Sequence, residues 1–188
     1  MSTFIRRVFL FLFIALLISF VLIPAYEIFV GGQSFDVCMG NICRSPTAEG
    51  VFRHLVRTHG LEDLISVDSA GTHAYHEGEK PDPRACASAV EKGYDIASSR
   101  ARKVKDEDFN KYNYILPMDN ANLSFLQVKA PLTHRDKIEL FLNYHPEKTG
   151  EEVPDPYYRD SDLFDGVFEM IEECCWNLLK VMRKRHHL

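Results

Sequence analysis

A cysteine and an arginine separated by five residues, Cys38-Met39-Gly40-Asn41-Ile42-Cys43-Arg44, are the part of this chain whose residue types best fit a chemical task. Five residues suffice to wrap a backbone into a loop whose N–H groups converge on one anion. The amides from Met39 to Cys43, with Ser45, then form a phosphate cradle with the Cys38 thiol at its floor. Arg44 closes the cradle, because its planar fork of donors matches two phosphoryl oxygens at once. Gly40 and Asn41 are the residues that best tolerate the unusual φ values of so tight a wrap. Ser45-Pro46 reads as a helix start, with Ser45 at the cap and Pro46 at the first helical position, and Ser45 is also placed to donate a hydrogen bond to the Cys38 thiolate. The positive end of that helix joins the loop amides and Arg44 in favouring a thiolate at Cys38. A thiolate inside a phosphate-shaped cup is a nucleophile for phosphoryl transfer.

A strand has to end at Cys38 and a helix has to begin just after Arg44 for this loop to exist. The apolar residues Ala48, Val51, Phe52, Leu55 and Val56 recur at helical spacing as far as Gly60. Short strands are expected at 34–38, 64–67, 112–118 and 138–142. Helices are expected from Asp82-Pro83 to Gly93, from Asn120 to Leu126, and from a cap at Ser161 or Asp162 through the C-terminal segment. Strands alternating with helices predict an α/β fold, a three-layer α-β-α arrangement around a parallel four-stranded sheet. Ligands bind such sheets at the carboxyl ends of the strands, where the Cys38 loop lies. The first strand carries an irregularity, since Ser34 and Asp36 stand where a strand covered on both faces is normally apolar.

The segment CMGNICRSPTAEGVF resembles the phosphate loop and first helix of the low-molecular-weight protein tyrosine phosphatases. The resemblance continues through DSAGTHAY, PDPRA, YNYILPMDNANL and VPDPYY, and covers the chain from about Asp36 onward. It implies hydrolysis of protein phosphotyrosine through a phosphocysteine intermediate, with no metal and no cofactor. Cys38 is then the nucleophile, Arg44 the phosphoryl clamp and Asp155 the general acid and base, flanked by Pro154 and Pro156 that stiffen its loop. Tyr75 and Tyr158 match the aromatic walls of the family's substrate cleft, and Asn41, Ser69 and Asp119 are supports of the loop. Cys43 is placed to trap an oxidised Cys38 as a disulfide. Three alternatives share the motif: an arsenate reductase, a protein arginine phosphatase, and a membrane-tethered module that binds phosphotyrosine without turnover. The first needs two further relay cysteines, and only Cys86 lies near the right segment. The second tends to carry Thr at the position of Ile42, and the third would lack Cys38 or Asp155.

Composition fits one globular domain with an extension. The 188 residues are 46% hydrophobic and 26% charged, with a net charge of −5, which leaves no basic field for nucleic acid. The five cysteines are odd in number and show no paired C-x-x-C units for zinc. Residues 1–33 stand apart from the 34–188 phosphatase segment. Arg6-Arg7 precede an apolar run from Val8 to Ile23, broken by Ser19 and followed by Pro24. Sixteen residues are short for a membrane span. Residues 8–26 are therefore read as a membrane contact, a secretory signal or an artefact of the assigned gene start. Phosphoprotein substrates and a free Cys38–Cys43 pair argue for a catalytic domain in the cytoplasm, whereas the basic pair before the run would place it outside.

Overall fold

The structure, a computed structural model, describes residues 31–159 and 162–188. The apolar run within residues 8–26 and the Ser161 cap lie outside the described residues. Among the described residues no helix is long and apolar enough to cross a membrane.

Three parallel strands, β1 (Gln33–Cys38), β2 (Ser66–Gly71) and β3 (Tyr114–Pro117), form a sheet in the order β2-β1-β3. Alternation along β1 sends Phe35 and Val37 to one face and Ser34, Asp36 and Cys38 to the other. The first face meets α3 (Asp108–Lys111) and α4 (Asn120–Lys129), where Phe35 stacks on Tyr112 with centroids 4.5 Å apart. The second face is covered by α1 (Arg44–Thr58), α2 (Pro83–Glu91) and α5 (Asp162–His186). Of the residues whose spacing predicts the buried face of α5, Phe164, Val167, Phe168, Ile171, Cys174, Cys175, Leu178 and Met182 are buried, and Leu163 is only partly so. Burial raises the Cys174 and Cys175 thiols, and each donates to a carbonyl, Phe141 and Ala48 respectively, so both behave as core residues.

The expected fourth strand is reduced to a single bridge. Ile138 pairs in parallel with Ile115, and Glu139 donates its N–H to the Ile115 carbonyl at 3.2 Å. The chain then enters a 3-10 helix, Phe141–Tyr144, that buries Phe141, Leu142 and Tyr144. The apolar run of 138–142 is thus spent under a turn, with no continued ladder. The second strand also starts later than its apolar residues suggest, at Ser66, and runs through Asp68 to Gly71.

Ser34 and Asp36 do not prevent β1 from forming at the centre of the sheet. Both are buried, and the Ser34 hydroxyl and both Asp36 carboxylate oxygens lack hydrogen-bond partners among the described residues. Burial, reinforced by the nearby Glu49 and Asp68 carboxylates, pushes the Asp36 carboxyl well above its ordinary value near 3.8. The folded chain therefore retains a proton that the unfolded chain releases above about pH 4. Stability contributed by this proton is full below that pH and is lost as pH rises toward the folded-state value. Asp36→Val should raise stability at neutral pH by about 1–3 kcal/mol, the usual cost of an unsatisfied buried polar group. Thermal melts at several pH values check this: the variant should gain more over the parent at pH 7 than at pH 4. An unchanged or lower melting temperature at pH 7 would count against it.

Candidate active site

The loop after β1 folds around the Cys38 sulfur. Cys38 Sγ accepts from the Asn41 backbone N–H at 3.2 Å and from the Ser45 hydroxyl at 3.1 Å. Asn41 is the loop residue in the left-handed region, with φ 58°. Gly40 has no positive φ; its lack of a side chain serves a close approach, since a Cβ there would lie 3.0 Å from the His76 ring. Gly71 supports the loop from below, where a Cβ would come within 2.6 Å of the Met39 carbonyl. Backbone bonds from Thr72 N to Cys38 O and from His73 N to Met39 O, both 2.9 Å, tie the loop to the end of β2.

A buried polar chain fixes Asn41. Its Nδ2 donates to Ser45 Oγ at 2.9 Å and Ser69 Oγ at 2.8 Å, and its Oδ1 accepts from the Arg102 N–H at 2.9 Å. The Ser69 hydroxyl passes its own hydrogen to Glu49 at 2.6 Å. The Ser69 branch thus ends on Glu49, and the Ser45 branch ends on the Cys38 sulfur, with the Ala70 carbonyl a longer alternative acceptor at 3.4 Å. Helix α1 starts at Arg44, with Cys43 as its N-cap and no side-chain cap bond. Ser45 is therefore inside the first turn rather than at the cap, and its hydroxyl serves Cys38. Pro46 is the third helical residue, still among the four whose N–H has no intrahelical acceptor.

Arg44 is buried and joins three segments. Its Nη1 donates to Asp119 at 2.8 Å and to the Val153 carbonyl at 3.0 Å, and its Nη2 donates to Asp155 at 2.9 Å. Burial opposes the guanidinium charge, but Cys38, Asp155 and Asp119 outweigh it and hold the proton more firmly than usual. Asp119 also caps α4 by accepting from Asn122 N at 2.7 Å. Cys43 lies in the same cavity as Cys38; burial, then the Asp82 carboxylate, pushes its thiol far up, so it stays protonated beside the nucleophile.

One cavity gathers these groups. Cys38, Gly40, Ile42, Cys43 and Arg44 form its floor, and Asp155 stands on its rim. Met39, Tyr75, His76, Tyr157 and Tyr158 line the remainder. Tyr75 and Tyr158 are largely exposed at 70% and 90%. Tyr75 stacks on His73 and Tyr158 meets Tyr157 edge-on, with centroids 5.1 and 4.8 Å apart. All three residues expected to do chemistry meet here, as do both aromatic walls. His76, Tyr157, Glu49, Arg102 and Gly71 were not anticipated. A weak signal existed for Glu49, which lies one helical turn after Ser45, and for Gly71, a glycine closing a strand.

This fold and site define a phosphatase architecture. The model of the low molecular weight phosphotyrosine protein phosphatase family matches residues 35–188. A low molecular weight protein-tyrosine-phosphatase of Streptomyces coelicolor is 41% identical over 153 residues, covering 79% of this chain and 92% of that protein. The Sus scrofa low molecular weight phosphotyrosine protein phosphatase is 40% identical over 149 residues, covering 78% and 93%. A crystal structure of a protein tyrosine phosphatase from Entamoeba histolytica, with Hepes in its active site, superposes with a TM-score of 0.78 at 36% identity. It covers 84% of this chain and 99% of its own. The chain belongs to the low molecular weight phosphotyrosine protein phosphatase family.

Proposed function

We infer that this chain is a protein-tyrosine phosphatase acting through a phosphocysteine. The observation that carries the reading is the meeting of Cys38 Sγ, its two hydrogen-bond donors, Arg44 and Asp155 around one cavity. A phosphotyrosine ring enters between Tyr75 and Tyr158, and the phosphoryl group settles among the loop amides. The thiolate attacks phosphorus, the S–P bond forms and the P–O bond to tyrosine breaks. Arg44 turns its Nη2 from Asp155 to the phosphoryl oxygens as charge spreads over them. Asp155 gives its proton to the departing tyrosyl oxygen, then removes one from the water that attacks phosphorus and frees Cys38.

Depth supplies selectivity, because Cys38 is only 4% exposed behind exposed aromatic rims. A phenyl ring spans that depth and stacks on the walls, whereas a seryl side chain does not. Peptides of one sequence carrying phosphotyrosine, phosphoserine or phosphothreonine test this directly. Turnover of phosphoserine matching that of phosphotyrosine would overturn the reading.

Cys43 belongs to the same proposal. Peroxide converts the Cys38 thiolate to a sulfenic acid, and the Cys43 thiol displaces water from it to give a disulfide that added thiol reduces. Cys43→Ser should lose most of the thiol-reversible recovery after peroxide, measured as returned activity. Full recovery in that variant would remove the protective role.

We also place the catalytic domain in the cytoplasm, where Cys38 and Cys43 remain reduced, with the apolar 8–26 run in contact with a membrane. A membrane-impermeant thiol reagent applied to intact cells would contradict this by labelling Cys38.

A further inference from the structure

The acid loop needs an anchor that persists while Arg44 is occupied. Without substrate, Arg44 holds the loop at the Val153 carbonyl and at the Asp155 carboxylate. The second of these contacts uses the Nη2 donor that a phosphoryl group claims. On the far side of Asp155 the loop is held by Arg84, whose Nη2 donates to the Tyr157 carbonyl at 3.1 Å. The Arg84 guanidinium also lies 5.7 Å from the Tyr157 ring centroid and 4.6 Å from that of Phe164 on α5.

Arg84 is itself fixed to the phosphate loop. Asp82 grips it with two oxygens, Oδ1 to Nε at 3.1 Å and Oδ2 to Nη2 at 2.8 Å. The Asp82 backbone N–H donates to the Ile42 carbonyl at 2.7 Å. Asp82 also caps α2 by accepting from Arg84 N at 2.8 Å, so the pair sits at a helix end that cannot slide. Hydrogen bonds to Arg84 hold the Asp82 carboxyl below its ordinary value, and the pair stays ionic at neutral pH. A continuous strut therefore runs from Ile42 through Asp82 and Arg84 to Tyr157. It reaches the acid loop without passing through Arg44 or Asp155.

We propose that Arg84 is a positioning residue that sets the distance between the acid loop and the phosphate loop once substrate has drawn Arg44 away from Asp155. The proposal rests on Asp155 being the general acid. It acts through Asp155 alone, so in the attack step its loss matters where the leaving oxygen needs a proton.

Arg84→Ala, Arg84→Gln and Arg84→Lys, with Asp155→Ala in parallel, test it in single-turnover measurements of the attack step on phenyl phosphate and on 4-nitrophenyl phosphate, whose leaving group needs little protonation. Misplacing a catalytic group by about an ångström costs up to roughly 100-fold. Arg84→Ala and Arg84→Gln should lower the single-turnover attack rate on phenyl phosphate by about 10–100-fold. They should change the 4-nitrophenyl rate and the inhibition by inorganic phosphate far less. Arg84→Lys should recover part of the loss, since it keeps the charge but not the fork. Equal losses on both substrates, or none on either, in the Arg84 variants while Asp155→Ala discriminates would overturn the proposal and leave Asp155 as the acid. Equal losses on both substrates in Asp155→Ala would remove the acid assignment and the role of Arg84 together. A thermal melt of each variant identifies a loss that comes from unfolding, which would affect both substrates alike.

Discussion

Cys38→Ser should abolish turnover while the chain still binds phosphate. A serine hydroxyl in this loop has no base to remove its proton, because Asp155 belongs to the leaving-group side and Ser45 donates toward position 38. Loss of a nucleophile typically costs on the order of 10⁴–10⁶-fold. The cradle survives the change: Asn41 remains fixed by Ser45, Ser69 and Arg102, and Arg44 keeps its contacts with Asp119 and Val153. Isothermal titration with inorganic phosphate should therefore give an affinity near that of the parent. Turnover within about tenfold of the parent would show that Cys38 is not the attacking atom.

Asp155→Ala should separate the chemistry of the leaving group from that of the cradle. Its carboxylate stands on the cavity rim with 41% of its side chain exposed, and its contact with Arg44 Nη2 at 2.9 Å is one that substrate displaces. Removing it leaves Arg44 buried against Asp119, so phosphate inhibition should be unchanged or slightly stronger. General acid catalysis supplies roughly 10²–10⁴-fold. That loss should fall on phenyl phosphate in kcat, with a much smaller loss in the attack step on an activated aryl phosphate. A uniform loss across leaving groups would make Asp155 a structural residue of its loop.

The nucleophile loop was legible because its requirements are local. Cys38, Asn41 and Arg44 lie within seven residues, and each residue type answers a geometric need of one turn. The positive φ of Asn41 was foreseeable for that reason. Asp155 was accessible through its flanking prolines and the family resemblance. Its contact with Arg44 spans 111 residues and has no local signature. The same holds for Arg84 and Tyr157, 73 residues apart, and for Arg102, whose backbone N–H fixes Asn41 from 61 residues away. Hydrophobic pattern misled at 138–142, where a run suited to a strand is buried by a 3-10 turn beneath α5. At Glu49 the only signal was its place one helical turn after Ser45, which does not show that its carboxylate is buried against Ser69. Ser45 was placed correctly as a donor to the Cys38 sulfur, but its second expected role, the helix cap, falls to Cys43, since a serine before proline fits a cap and a thiolate donor equally well.

The central claim is that phosphorus passes through Cys38. It is tested most directly with Asp155→Ala, in which an activated aryl phosphate still forms the phosphoenzyme but the base for its hydrolysis is missing. Mixing this variant with 4-nitrophenyl phosphate, quenching, and sequencing the peptide around position 38 by mass spectrometry reads the intermediate. One phosphoryl group on the Cys38 sulfur, with a stoichiometric burst of nitrophenol, is the expected result. A burst with phosphate on another residue, or phosphate released with no phosphorylated Cys38 at any time, would contradict it.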